Sequence, residues 1–162
     1  MLNPSIEHML LFHDDPLIIE ASRCATVREE NTLLHTLMLL STVGYSEIPV
    51  LDSKGRLTGL IRFPNVIQGI KDDTQYCWDE LQKRKVCEVM QDNPDAVVAP
   101  CDLEDVLHGL VDHNFICVVN PEGIFEGLIT RKSILTRLNF LAHEMGRFYD
   151  IEAKEDVISR IS

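Results

Sequence analysis

Apolar residues along this chain change their spacing in a set order, and later change it again in the same order. Leu33, Leu37 and Leu40 recur at helical spacing behind a capping residue, Asn31 or Thr32, and Gly44 supplies the helix exit. A short strand is expected before that helix, at 24–27. After it, the β-branched run 48–51 reads as a strand, 52–55 as a tight turn and 56–62 as the antiparallel partner, followed by a short helix over about 64–70. The second passage predicts a strand at 96–99, a helix from the Asp102 cap to about His113, a strand at 116–119, a turn over Asn120-Pro121-Glu122-Gly123 and a strand at 124–130. A longer helix then runs from about 132 to 145.

The two passages are copies. Residues 48–67 return without a gap as 116–135, so that Gly55, Gly59, Leu60 and Ile61 answer to Gly123, Gly127, Leu128 and Ile129. Upstream, Thr32 matches Asp102 and Tyr45 matches Phe115, which leaves Ser46 and Glu47 as extra residues in copy one. Extra residues in one of two equivalent loops break the symmetry of the clefts between the copies, and binding loops are where such asymmetry arises. The rest of the chain predicts a helix starting at Asn3-Pro4 and ended by Asp14-Asp15-Pro16, a polar linker at 71–75, a helical turn at 76–81 and a charged stretch, Lys83-Arg84-Lys85. The expected division is an N-terminal helical segment at 1–16, repeat one at 17–75, repeat two at 76–145 and a helical tail at 146–162.

Composition narrows the function. The 162 residues carry a formal charge of −11 without a broad basic stripe, which disfavours a nucleic-acid partner and requires any anionic ligand to be met by a local cluster of cations. No apolar run reaches the roughly 18–20 residues that span a bilayer, so no membrane partner is expected. No basic-then-apolar leader opens the chain, because Glu7 and His8 interrupt its first apolar cluster, and the expected location is cytoplasmic. The five cysteines are odd in number and form no CxxC, which fits buried thiols in a reducing compartment. The histidines show no metal-ligand spacing, and no phosphate-binding loop, nucleophile elbow or dinucleotide fingerprint is present, so neither a metal cofactor nor an enzyme is expected.

The order strand–helix–strand–turn–strand–helix, with Gly44-Tyr45-Ser46-Glu47-Ile48-Pro49-Val50 and Gly127-Leu128-Ile129-Thr130-Arg131-Lys132-Ser133-Ile134-Leu135, resembles the CBS-domain repeat over about residues 17–141. The resemblance implies an α/β (α+β) fold in which tandem CBS repeats form one Bateman-type module with pseudo-two-fold symmetry. It implies a cleft built from the first strand and Pro-containing loop of one copy plus the helix-start motif of the other. It also implies adenine-nucleotide binding and homodimers.

In the usual helix-start motif, Ser/Thr-x-x-Asp, the hydroxyl meets phosphate and the Asp holds the ribose hydroxyls. Copy two reads Thr130-Arg131-Lys132-Ser133 and copy one Arg62-Phe63-Pro64-Asn65, so neither supplies the carboxylate. A free ribose diol therefore loses a charge-assisted partner, about 1.5–3 kcal/mol when buried. A cyclic dinucleotide presents no such diol, and Arg131 and Lys132 beside Thr130 suit its phosphates. The whole pattern resembles the stand-alone cyclic di-AMP-binding CBS proteins of Gram-positive bacteria (the CbpB/DarB type). That resemblance implies regulation of a partner protein, such as a Rel-type (p)ppGpp synthetase/hydrolase or another metabolic enzyme, according to ligand state. An AMP, ADP or ATP sensor and a ligand-free regulatory scaffold are the alternatives.

The expected ligand site comprises Arg23, Cys24, Ala25, Tyr45, Ser46, Glu47, Ile48, Pro49, Thr130, Arg131 and Lys132. Arg131 and Lys132 read as phosphate ligands or as solvated helix residues, and Arg23 as a residue closing on the ligand or as a surface salt bridge. Tyr45 reads as a stacking platform for adenine or as core filler, and Ala25 as a small cleft wall or an ordinary strand alanine. Phe115 reads as core or dimer interface. A second, weaker cleft is expected from 95–97, 114–116 and 62–65.

Overall fold

The structure is a computed structural model, described here for residues 1–148 and 150. Asn3 caps α1 (Pro4–Leu11) by accepting from the Ser5 amide at 2.9 Å, with Pro4 in the first turn, where its missing N–H has no partner to lose. Copy one then supplies β1 (Ile19–Glu20), β2 (Val27–Arg28), α2 (Leu33–Val43), β3 (Glu47–Leu51), β4 (Leu57–Arg62) and α3 (Phe63–Gly69). Thr32 caps α2 through the His35 amide, and Gly44 ends it at φ 69°, a left-handed conformation that costs a glycine nothing. The connecting segment holds α4 (Glu80–Lys83), and copy two adds β5 (Gln91–Asp92), β6 (Ala96–Val98), α5 (Leu103–Asp112), β7 (Phe115–Val119), β8 (Phe125–Thr130) and α6 (Arg131–Phe148).

Two four-stranded sheets form, β2-β3-β4-β5 and β1-β8-β7-β6. Alternation along the central strands sends Ile48, Val50 and Ile61 to the helices of copy one, and Ile116, Val118 and Ile129 to those of copy two. The opposite faces meet in a shared layer of Leu51, Leu60, Phe115, Cys117, Phe125 and Leu128. Burial in that layer pushes the Cys117 thiol up to about 12, whereas Cys87 is exposed, contrary to the expectation that every cysteine is buried. Buried Arg137 ties α1 to α6 by donating to the carbonyls of Leu10 (2.8 Å) and Asp15.

The two sheets exchange strands. β1 comes from the start of copy one yet pairs with β8, while β5 comes from the start of copy two yet pairs with β4. The registers match: Ile19 faces Leu128 and Glu20 faces Gly127, as Gln91 faces Leu60 and Asp92 faces Gly59. The repeated glycine therefore has a steric reason. A Cβ on Gly127 would collide with the Ile19 carbonyl oxygen, and one on Gly59 would lie 2.8 Å from that of Gln91. The two turns also bond to each other, from the Leu57 amide to the Gly123 carbonyl and from the Phe125 amide to the Gly55 carbonyl, both at 3.0 Å.

Several sequence expectations need correction. The strand placed at 24–27 is reduced to Val27–Arg28, because a 3₁₀ turn at Ala21–Arg23 closes with the Cys24 amide donating to the Ala21 carbonyl. The helical turn placed at 76–81 begins only at Glu80, since the Cys77 amide donates to the Ile70 carbonyl and holds 71–76 as a hairpin. Neither exchanged strand was expected. The equivalent strands β3 and β7 match Glu47, not Tyr45, to Phe115; α2 is one residue longer than α5, and its connection to the strand is three residues rather than two. The helical tail expected at 146–162 is seen only as the last turn of α6, and its remainder lies largely outside the described residues.

Two outcomes follow from this packing. Gly127→Ala should destabilise the fold by about 1–3 kcal/mol in urea denaturation, because the added methyl pushes β1 off β8. The Asp52 carboxylate accepts from the backbone amide of Arg56 (3.0 Å), the Arg56 side chain (2.7 Å) and the Lys54 amide (2.8 Å), which hold its carboxyl below the ordinary value. The stabilisation is thus present above the unfolded value and lost as pH falls below about 4. Asp52→Asn should make the acid limb of the stability–pH curve shallower.

Candidate functional site

The largest cleft formed by the described residues, about 950 Å³, lies between the two copies. Copy one contributes the exit of α2, as Gly44, Tyr45 and Ser46, together with Ile19 on the exchanged β1. Copy two contributes Asn114, Phe115 and Leu128 from its sheet, and Thr130, Arg131 and Lys132 from the junction of β8 and α6. Beyond the junction, Leu135, Thr136 and Asn139 continue the wall along α6. The volume falls within the range of small-molecule sites, roughly 300–1,000 Å³. Among the described residues its wall includes two cations and no carboxylate, although the chain as a whole is strongly acidic.

The junction is built by capping. Thr130 Oγ1 accepts from the Ser133 amide at 3.1 Å, and the Ser133 hydroxyl donates to the Thr130 carbonyl at 2.7 Å. The Arg131 amide donates to the Asn114 carbonyl at 2.8 Å, which sets the helix start against β7. Arg131 also donates from Nε to the Leu110 carbonyl (2.9 Å) and from Nη2 to the Val111 carbonyl (3.2 Å). These are last-turn carbonyls of α5, the negative end of its dipole, and they hold the guanidinium at the cleft with its other donors uncommitted to them. Lys132 is exposed and joins no ion pair among the described residues. Across the cleft, Asn114 Nδ2 approaches Ser46 Oγ at 3.4 Å, the direct link between the copies at this point.

Of the residues singled out from sequence, Tyr45, Ser46, Thr130, Arg131 and Lys132 come together here. The others do not line this cleft. Arg23 is exposed on the 3₁₀ turn, and Ala25 lies half-buried beyond it. Cys24 packs against the inter-sheet layer and donates its thiol to the Ile19 and Glu20 carbonyls, and burial raises its pKa. Ile48 is fully buried under the helices of copy one, and Pro49 is buried one residue on. Glu47 is buried on the opposite side and faces Arg62 at 3.9 Å. Tyr45 is exposed rather than core, whereas Phe115 is core, in the inter-sheet layer.

The second expected cleft amounts to about 90 Å³, lined by Arg62, Asp95 and Phe115 together with Glu47, Gln91 and His113. Its own side chains close it: Arg62 donates to Gln91 at 3.0 Å and lies against Glu47, while His113 lies 3.4 Å from Asp95. Asn114, expected there, lines the large cleft instead. No group of three or more residues that could hold a metal ion occurs among the described residues, and no described helix is long and apolar enough to cross a membrane.

Sequence reasoning missed Leu135, Thr136 and Asn139, although their signal was available: they follow Lys132 at the i+3, i+4 and i+7 spacing of one helix face. Ile19 had no such signal, because only the exchange of β1 brings it across.

Thr130→Ala should cost about 1 kcal/mol of stability in urea denaturation, the usual price of a lost helix cap, with the loss of protection in hydrogen exchange confined to the first turn of α6.

A sequence model of the family described as the CBS domain matches residues 18–72 and 86–139. The cyclic di-AMP receptor B of Bacillus subtilis (strain 168) is 34% identical over 122 residues, covering 75% of this chain and 83% of that protein. The crystal structure of CbpB from Streptococcus agalactiae is similar with a TM-score of 0.82 at 27% identity, over 94% of this chain and 96% of that one. The structure of Listeria monocytogenes CbpB in complex with c-di-AMP is similar with a TM-score of 0.72 at 36% identity, over 78% of this chain and 94% of that one.

Proposed function

This chain belongs to the CBS-domain family, and we propose that it is a non-catalytic receptor that takes cyclic di-AMP in the cleft between its two copies. One observation carries the reading: in a chain of charge −11, the largest cleft formed by the described residues gathers Arg131 and Lys132 at the start of α6, and no described residue of its wall is a carboxylate. The cations and the positive helix end favour phosphoryl oxygens. The missing carboxylate removes the usual partner of a free ribose diol, so a ligand whose 3′ oxygens are esterified loses nothing there. Two relatives carry the same ligand in their descriptions, the receptor of Bacillus subtilis and the Listeria monocytogenes complex.

A ligand in this cleft touches the exit of α2 in copy one and the start of α6 in copy two at once. It therefore favours whichever relative placement of the copies brings both walls to it, and that differential affinity is the source of a regulatory output. The family resemblance extends the proposal to a cytoplasmic homodimer that acts on a protein partner, a Rel-type (p)ppGpp synthetase/hydrolase or another metabolic enzyme, according to ligand state. The expected division at 17–75 and 76–145, and a contribution of Arg23 and Ala25 to the ligand site, belong to the same proposal.

Calorimetric titration tests the ligand. Cyclic di-AMP should bind more tightly than AMP or ATP. Lys132→Ala, at an exposed position whose side chain joins no ion pair among the described residues, should weaken it about tenfold or more. Tighter binding of AMP or ATP would overturn the ligand assignment.

A further inference from the structure

We propose that Asn139 is the residue that reads the base and that adenine is the base it selects; this rests on the receptor reading above and extends it from the phosphates to the other end of the ligand. Lys132, Leu135, Thr136 and Asn139 form one stripe of α6 along the cleft wall. At about 1.5 Å per residue, the stripe runs some 10 Å from the phosphate-binding end into the cleft. A nucleotide carries its base on the far side of its sugar from the phosphate, so the end of the stripe is where a base arrives.

Asn139 exists in this wall because the copies differ. The residue that matches it in copy one is Lys71, and α3 has already ended at Gly69. Only α6, at 18 residues, is long enough to carry the stripe this far. The other polar side chains near the helix start have internal work: Thr130 caps α6, and Asn114 reaches to Ser46. Among the described residues the Asn139 amide takes part in no hydrogen bond, and one turn away Leu135, 56% exposed, offers an apolar surface for a flat ring.

The chemistry selects adenine. A carboxamide presents one acceptor and one pair of donors side by side, and adenine presents an amino donor beside a ring-nitrogen acceptor, so the two engage with both bonds satisfied. The edge that carries this selection is the N6/N7 edge: there guanine and hypoxanthine replace the amino group with a carbonyl, which sets O6 and N7 beside each other as two acceptors, and a single amide cannot match both well.

The test is a titration of wild type and Asn139→Leu with cyclic di-AMP and with cyclic di-IMP, which differs in having a carbonyl for each adenine amino group. Leucine is similar in size and a better helix former than asparagine at this exposed position, so the variant should fold. Wild type should prefer cyclic di-AMP by about tenfold, and Asn139→Leu should lose that preference through weaker cyclic di-AMP binding while its cyclic di-IMP affinity is unchanged. If wild type binds cyclic di-AMP and the variant keeps both the affinity and the preference, or loses affinity for both ligands equally, the adenine assignment alone is overturned. If wild type binds neither dinucleotide, the receptor reading falls and takes this assignment with it.

Discussion

Two hydrogen bonds between turns organise the molecule. Leu57 donates to Gly123 and Phe125 donates to Gly55, a pair related by the same 68-residue offset as the repeat itself, with Arg56 facing Ile124 between them. A pseudo-two-fold axis therefore passes through this bridge. Once the axis is set, each copy must lend its opening strand to the other's sheet, and the paired positions Glu20–Gly127 and Asp92–Gly59 follow from it. Neither sheet is complete without a strand from the other copy, so the halves fold as one body around the Leu51, Leu60, Phe115 and Leu128 layer.

Function appears where that symmetry fails. Glu47 and Phe115 occupy equivalent strand positions, yet one is a buried acid held by Arg62 and the other an aromatic ring of the inter-sheet layer. On one side, the Arg62–Glu47–Gln91 cluster consumes its own charge and leaves only a small space. On the other, Arg131 is supported from behind by the α5 carbonyls, and Lys132 joins no ion pair among the described residues. The same scaffold thus yields one closed cleft and one open cationic cleft. The decisive difference is whether the basic residue at the helix start finds an acid within its own half.

The electrostatics are local. A chain of −11 repels anions at long range, but a cleft wall with two cations at a helix N-terminus and no carboxylate among its described residues reverses the sign over the few ångströms that matter to a bound phosphate. Holding the Arg131 guanidinium against last-turn carbonyls also reduces the side-chain entropy lost when an anion arrives, so part of the ordering is done before binding.

The sequence by itself determined the duplicated unit, its helices and central strands, and the cationic start of α6. These are written in local signals: helical spacing from Leu33 to Leu40, β-branched runs, the Asn120–Gly123 turn, and a capping hydroxyl beside two basic residues. The i+3, i+4, i+7 stripe that ends at Asn139 is legible in the same way. Tertiary structure alone decided that β1 and β5 change sheets, that Ile19 reaches the cleft while Arg23, Ala25 and Ile48 do not line it, and that Arg62 is paired with Glu47 and donates to Gln91. The reason is range: caps, turns and amphipathic faces depend on residues within one or two helical turns, whereas a two-residue strand such as β1 has no pattern of its own and is defined only by the distant edge that completes it.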